Sequence, residues 1–242
     1  MDNRIAGIDG AADRPADTAA PILFTTSDLR AFVVRAERAL VRHRACLDRL
    51  DAALGDGDHG ENMSVGFGDA SRALGSDDRD PGDILRELGH LLVAGVGGAG
   101  GSLYGTAFIE AGIAIAGRRV LTPADLATAL EAAADGLARR GRCRGGDKTI
   151  YDALRPAADA YAQTLAAGES MDDSLRRAAS AARAGMLSTT PLIARRGLAL
   201  RLGERSRGHQ DPGATSCFLL VRAMLPPAAR RRSRLPVAGR PR

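Results

Sequence analysis

Apolar residues recur along this chain every three or four positions and almost nowhere every second one. Behind Ser27, the residues Leu29, Phe32, Val33, Ala36, Leu40, Leu47 and Leu50 hold that spacing, with arginines on the opposite face. The pattern predicts a long helix with Ser27 as its N-cap. Asp51 falls at or just beyond its end, and a Gly-Asp-Gly-Asp turn follows. A second helix is expected from about His59 to Leu74. A third starts at Asp83, with Ile84, Leu85, Leu88, Leu91 and Leu92 on one side, and a fourth carries Phe108, Ile109 and Ile113. Thr122 as cap, Pro123 in the first turn and Gly141 as stop delimit a fifth. The stretch "GDKTIYDALRPAADAYAQTLAAG" reads as a sixth helix with Pro156 as a kink or a restart. "MDDSLRRAASAARAGMLST" and "GATSCFLLVRAML" supply two more; in the last, Ser216 is placed to bond its own helix. About eight helices with short joints and no convincing strand pair predict an all-α antiparallel bundle or barrel, one domain over residues 27–225.

Composition reinforces this reading. Aromatic residues make up only 3% of the 242 and Trp is absent, so the apolar content is mostly Ala, Leu, Val and Ile. Ala and Leu are good helix formers, and a β-sandwich would want more β-branched and aromatic residues. Residues 1–26 lack periodicity and read as a flexible leader. Residues 226–242 carry six arginines, four prolines and no acid, and read as a disordered tail. The net charge of +5 is therefore a property of the tail, and the rest of the chain is close to neutral. That balance argues against a nucleic-acid groove. Cys46, Cys143 and Cys217 are odd in number and far apart, which suits a reduced, cytoplasmic chain. No signal peptide and no run near the ~20 apolar residues of a membrane span is present, so no membrane partner is expected.

Four glycine-rich joints, at 55–60, 95–101, 141–146 and 203–213, punctuate the helices, and such loops are where a scaffold carries chemistry. In "LDAALGDGDHGENM", Asp51, Asp56 and Asp58 fall within eight residues. Two like charges at 4 Å cost about 4 kcal/mol at an effective dielectric near 20. Carboxylates this close either point apart into water or share a divalent cation, and an all-oxygen set suits Mg²⁺, Ca²⁺ or Mn²⁺ over zinc. An EF-hand is excluded, since Gly60 and Phe67 stand where ligands belong. Residue types alone leave a second reading open, because Asp58 and Glu61 have capping-box spacing. "GVGGAGGSLYGT" lets a backbone approach a ligand and offers N–H groups at a helix start, or else serves a tight helix crossing. Lys148, the sole lysine, has a functional reading and a bland one, as a solvated neighbour of a helix-starting Asp147. His59, Arg205, His209 and Asp211 are further polar candidates, Asp211 also as a helix cap.

Taken in order, "LDAALGDGDHGENM", "GVGGAGGSLYGT", "GGDKTIYDAL" and "LGERSRGHQDPGATS" closely resemble the L subunit family of dihydroxyacetone kinases (DhaL). That family is homologous to the C-terminal nucleotide-binding domain of single-chain ATP-dependent dihydroxyacetone kinases. The resemblance spans residues 27–225 and implies an eight-helix antiparallel barrel holding ADP or ATP and two Mg²⁺ at one end. It implies Asp51, Asp56 and Asp58 as metal ligands. It implies nucleotide contacts from His59 and Asn62, from Ala99, Gly100 and Gly101 over the phosphates, and from Asp211, Pro212 and Gly213. Gly141 and Ile150 match positions lining the adenine. Three positions depart from the family pattern: Gly100 replaces Ser, Glu61 replaces Thr, and Leu198 replaces an Arg near the phosphates. Arg196 and Arg201 flank Leu198 but fall off its helical face. The implied activity is kinase chemistry with a separate substrate-binding K subunit. A phosphohistidine-carrier M subunit recharges bound ADP in one arrangement, and free ATP exchanges in the other. L subunits also bind a transcription regulator, so a non-catalytic nucleotide-binding module is the alternative, and the acceptor is a triose or a tetrulose.

Overall fold

The computed structural model describes residues 24–75 and 79–226. The expectations for residues 1–23 and 227–242 lie outside the described residues. Eight α-helices follow in order: α1 Thr26–Ala52, α2 His59–Ala73, α3 Pro81–Gly95, α4 Gly98–Ala114, α5 Pro123–Gly141, α6 Tyr151–Ala166, α7 Met171–Ser188 and α8 Pro212–Ala223. A 3-10 segment, Leu198–Ser206, precedes α8. Among the described residues, extended pairing is limited to one bridge between Phe24 and Leu121. Each helix packs on its successor, and α8 returns to α1, so the bundle closes into a barrel. The expected all-α architecture is the one observed.

The helix ends follow local chemistry. Thr122 and Asp125 form a reciprocal capping box at α5, and Asp80, Ser170 and Asp211 cap α3, α7 and α8 through their side chains. The α1 cap is Thr25 rather than Ser27. Only from position 25 does Asp28 sit three residues on, where its carboxylate reaches back to the Thr25 N–H at 3.1 Å. Phe24, buried and bridged to Leu121 by hydrogen bonds of 2.8 and 2.9 Å, fixes the entry of the chain. Pro156 lies inside α6 without ending it. A proline at 156 cannot donate to the carbonyl four residues back. That carbonyl, Asp152 O, lies so close to α7 that a Cβ on Gly185 would stand 2.0 Å from it. A glycine on α7 thus lets the two backbones touch where α6 lacks its own bond.

The core fills the barrel with Leu40, Leu47, Met63, Phe67, Ile84, Leu88, Leu92, Leu137 and Tyr161, all fully buried. Phe108 packs against Phe32 and Phe67 at centroid distances of 6.3 and 6.1 Å. Since one face of every helix is committed to this core, polar chemistry is left to the joints.

Candidate functional site

At the end of α1 the chain turns around one carboxylate. Asp51 Oδ2 accepts from the Gly57 N–H at 2.9 Å and the Asp58 N–H at 3.2 Å. Gly57, at φ +86°, supplies the left-handed step that this turn requires. The turn gathers Asp51, Asp56 and Asp58 so that one oxygen of each lies within 4.8 Å of the others. Burial raises the Asp51 carboxyl above its ordinary range, and the neighbouring Asp56 raises it further. The capping-box reading does not hold: Asp58 begins α2 without a side-chain cap bond, and the Glu61 N–H bonds Asp48 Oδ1 at 3.0 Å instead. Glu61 itself pairs with Arg44. Asp56 and Asp58 are therefore exposed acceptors committed to no donor of the α2 start. Three mutually repelling carboxylates with open oxygens fit a hard divalent cation such as Mg²⁺.

These aspartates form one wall of a cavity of about 500 Å³. A second wall is the start of α4, where Gly97 caps without any side chain and Gly98, Ala99 and Gly100 follow. Such a helix start presents N–H groups and the positive end of its dipole. Asn62 lies against this start, its side-chain nitrogen 3.2 Å from where a Cβ of Gly97 would be. The third wall comes from the end of α5 and the following loop, with Arg140, Gly141, Cys143, Thr149 and Ile150. The fourth comes from residues 196–199 and from Asp211, Pro212 and Gly213. Ile150 packs directly on Gly213, where a Cβ would stand 2.7 Å from its Cγ1.

Each site residue suggested by the family resemblance lines this cavity except Gly101. A Cβ at Gly101 would stand 2.2 Å from Val96 O, so this glycine serves the crossing of α4 over α3. His209 and Arg205 also lie off the cavity wall. Lys148 is buried, not solvated, and sits at φ +64°. Its Nζ donates to Thr189 O at 2.8 Å, to Leu192 O at 3.3 Å and to His209 O. Asp147 does not start a helix. It is buried and accepts from Arg196 Nε at 3.1 Å and from the Arg144 N–H at 3.2 Å.

Arg196 and Leu198 both reach the cavity because Gly197, at φ +63°, breaks the helical geometry that would have separated them. Arg140, which donates from Nε to Ser102 Oγ at 2.9 Å, is a further cation there. It opens the stretch "RGRCRGGDKT", in which only Lys148 stands out from the sequence, and it sits in the last turn of α5.

Two other groups are shaped by burial. His59 Nε2 lies 2.8 Å from Ser216 Oγ, and desolvation pushes its imidazole down to about 4. Asp211 caps α8 by accepting the Ala214 N–H at 2.7 Å, yet burial pushes its carboxyl up to about 7, with Asp152 and Asp51 raising it and Lys148 lowering it.

The fold and the cavity define an all-helical barrel with a carboxylate cluster facing an uncapped, glycine-rich helix start across one open end. The chain belongs to the DAK2 domain family, a kinase family, with the domain matching residues 53–226. It is 42% identical over 179 residues to the PEP-dependent dihydroxyacetone kinase, ADP-binding subunit DhaL, of Escherichia coli, covering 74% of this chain and 85% of that one. The corresponding subunit of kinase 2 of Listeria innocua is 36% identical, over 76% of this chain and 86% of that one. The L-erythrulose 1-kinase of Mycolicibacterium smegmatis is 36% identical over 75% of this chain, which spans only 32% of that longer protein. The crystal structure of the C. freundii dihydroxyacetone kinase shares the fold, with a TM-score of 0.63 at 23% identity over 92% of this chain and 38% of that one. Among the described residues, no helix is long and apolar enough to cross a membrane.

Proposed function

We propose that this chain is the nucleotide-bearing subunit of a dihydroxyacetone (glycerone) kinase, which passes the terminal phosphate of its bound nucleotide to a hydroxyl of a ketose held on a separate K subunit, ATP becoming ADP. The observation that carries this reading is convergence: joints separated by up to 162 positions, from Asp51 to Gly213, meet on one cavity. Their donors are complementary, with three carboxylates on one wall and helix-start N–H groups on another. The names of the relatives point the same way, since the E. coli and L. innocua proteins are ADP-binding subunits.

In this reading Asp51, Asp56 and Asp58 hold two Mg²⁺, which when bound neutralise phosphate charge and orient the transferring group. The first turn of α4, through Ala99 and Gly100, takes phosphate oxygens on its N–H groups. Arg140 and Arg196 supply the cations that Leu198 does not. Gly141 leaves room for the adenine, and Ile150, braced on Gly213, gives it an apolar face. His59, Asn62 and the Asp211-Pro212-Gly213 turn complete the nucleotide contacts. The PEP- and PTS-dependent names of relatives favour a phosphohistidine carrier as the source of phosphate over exchange with free ATP. The erythrulose kinases among the relatives keep a tetrulose beside dihydroxyacetone as acceptor.

Leu198, half exposed on the cavity wall, supports a second reading, a regulatory module that binds Mg-ADP without turnover. Calorimetry with Mg-ADP, followed by an assay of dihydroxyacetone phosphorylation with an added K subunit, separates the two. The kinase reading expects binding and K-dependent turnover, both lost in Asp56→Ala. Binding without turnover with any K partner sinks it in favour of the regulatory module, and no binding sinks both.

A further inference from the structure

Behind the cavity wall, four polar atoms meet in a space closed to water. Ser216 is fully buried and Tyr104 nearly so. Ser216 Oγ lies 2.8 Å from His59 Nε2, 2.7 Å from the Tyr104 hydroxyl and 3.0 Å from Gly213 O. The Tyr104 hydroxyl also lies 3.0 Å from Gly213 O. These are four short contacts, and the protons available to fill them can be counted. Serine and tyrosine bring one each, and the carbonyl brings none.

If His59 Nε2 is bare, Ser216 must donate to it. The Tyr104 proton can then serve only one of the three remaining oxygen–oxygen contacts, and two pairs of lone pairs face each other in a dry interior. If Nε2 carries the proton, His59 donates to Ser216, Tyr104 donates to Ser216 or Gly213 O, and Ser216 donates onward. Three protons then cover three of the four contacts. Buried polar groups left without a proton between them cost more than the small preference between imidazole tautomers.

We propose that Ser216, with Tyr104 behind it, holds His59 as the Nε2–H tautomer, so that the imidazole presents a bare Nδ1 acceptor to the cavity. The geometry on the other side of the ring agrees. Nδ1 makes no hydrogen bond among the described residues. It lies beside the first turn of α4, 3.8 Å from where a Cβ of Gly100 would stand. A bare nitrogen there repels a phosphate oxygen and accepts from a hydroxyl, an amine or a cation-bound water. His59 therefore reads a donor on the ligand rather than a phosphate, and Ser216 acts as its positioning residue. The ligand half of this proposal rests on the Mg-nucleotide reading above; the tautomer half does not.

The test is a two-bond ¹H–¹⁵N correlation spectrum of the full chain labelled with ¹⁵N-histidine at neutral pH. The chain has four histidines, and a His59→Gln sample identifies the resonances of interest. The expected pattern in the free protein is a protonated Nε2 and an unprotonated Nδ1. An Nδ1–H pattern, or one with both nitrogens protonated, overturns the proposal. Ser216→Ala is expected to mix in the Nδ1–H form, and an unchanged pattern in that variant overturns the role of Ser216. Saturation with Mg-ADP is expected to shift the Nδ1 resonance upfield as it accepts a hydrogen bond, and an unmoved resonance in the bound state overturns the acceptor role. Absence of any ADP binding counts against the nucleotide reading instead and leaves the free-protein pattern to decide the tautomer.

Discussion

The acidic turn at 51–58 and the Lys148 knot carry charges of opposite sign on the same cavity, and they differ in one respect that sorts function from scaffold. Lys148 uses its three ammonium protons on three carbonyls and is buried. Asp56 and Asp58 are exposed, and neither caps the helix that Asp58 begins. Both stretches are short, glycine-flanked and charged, and so look alike in the sequence. A saturated charge holds the protein together. An open one waits for something the chain does not provide.

Removing the saturated charge gives the largest expected effect. Lys148→Met leaves the carbonyls of Leu192 and His209 without their donor, and leaves Thr189 O only the Leu192 N–H at 3.2 Å, inside a loop that frames the fourth wall. At about 1–3 kcal/mol for each of the two orphaned acceptors, with the charge-assisted bond to Thr189 O lost as well, the loss is on the order of 5 kcal/mol, a large part of a domain's stability. Urea unfolding of the purified variant reads it directly. A loss below about 1 kcal/mol would place Lys148 with the open charges and undo the contrast.

Asp211 lies between the two classes, capped onto α8 yet held in a dry position. Its carboxyl at about 7 in the fold compares with 3.8 for an unperturbed group. The fold therefore binds a proton that the unfolded chain releases at lower pH. The associated stability is present in full below pH ~4 and is lost as pH rises through ~7. At 1.36 kcal/mol per pKa unit the change across that window approaches about 4 kcal/mol. Asp211→Asn caps a helix comparably but does not titrate. In EDTA, its stability relative to the parent is expected to rise from pH 5 to pH 8; a flat difference refutes the assignment of that titration to Asp211.

How far these distinctions were legible beforehand depends on range. Caps and periodicity act over three or four residues, so Thr122, Pro123 and the apolar stripe of α1 could be read directly. The acidic turn is equally local, which is why its three aspartates stood out while their alternative use as a cap had to wait for Glu61 to be seen bonded to Asp48 and Arg44. The Ser216–His59 contact spans 157 positions and leaves no periodic trace. Arg196 was misplaced for a different reason. A helical face was assumed through 196–198, but Gly197 takes a positive φ and the segment after it is 3-10. Glycine permits that conformation without announcing it, so the cation beside Leu198 emerged only from the backbone.

The open charges are expected to behave in the opposite way to Lys148. Without divalent cation, Asp56→Asn removes repulsion from Asp51, its amide can still bond the Asp51 carboxyl, and Asp51 keeps its own bonds to Gly57 and Asp58. Metal-free stability should stay level or rise by about 1 kcal/mol, a fraction of the bare Coulomb figure because Asp56 is exposed. The stabilisation that Mg²⁺ confers on the parent should vanish. Thermal melts with EDTA and with Mg²⁺ measure both signs, and a metal-free loss of more than 1 kcal/mol would make Asp56 a structural residue.

The smallest effect is expected at Gly100, and its neighbour Gly101 sets the contrast by the same criterion. A methyl added at Gly100 meets nothing closer than the His59 ring at 3.8 Å, an ordinary contact, whereas one at Gly101 meets Val96 O at 2.2 Å. Gly100→Ala leaves its own N–H open to the cavity and lowers the backbone entropy of the unfolded chain, a gain of about 0.5 kcal/mol. Gly101→Ala forces α4 away from α3 and is expected to cost about 1–3 kcal/mol. Paired urea titrations of the two variants give the signs, and Mg-ADP calorimetry on Gly100→Ala shows whether the N–H still serves. If that variant keeps its affinity while gaining stability, the first turn of α4 contributes through its backbone alone, and a serine at position 100 is dispensable. If affinity falls with no loss of stability, the space above Gly100 is itself part of the ligand site, and the glycine is there for the ligand's atoms rather than for the helix.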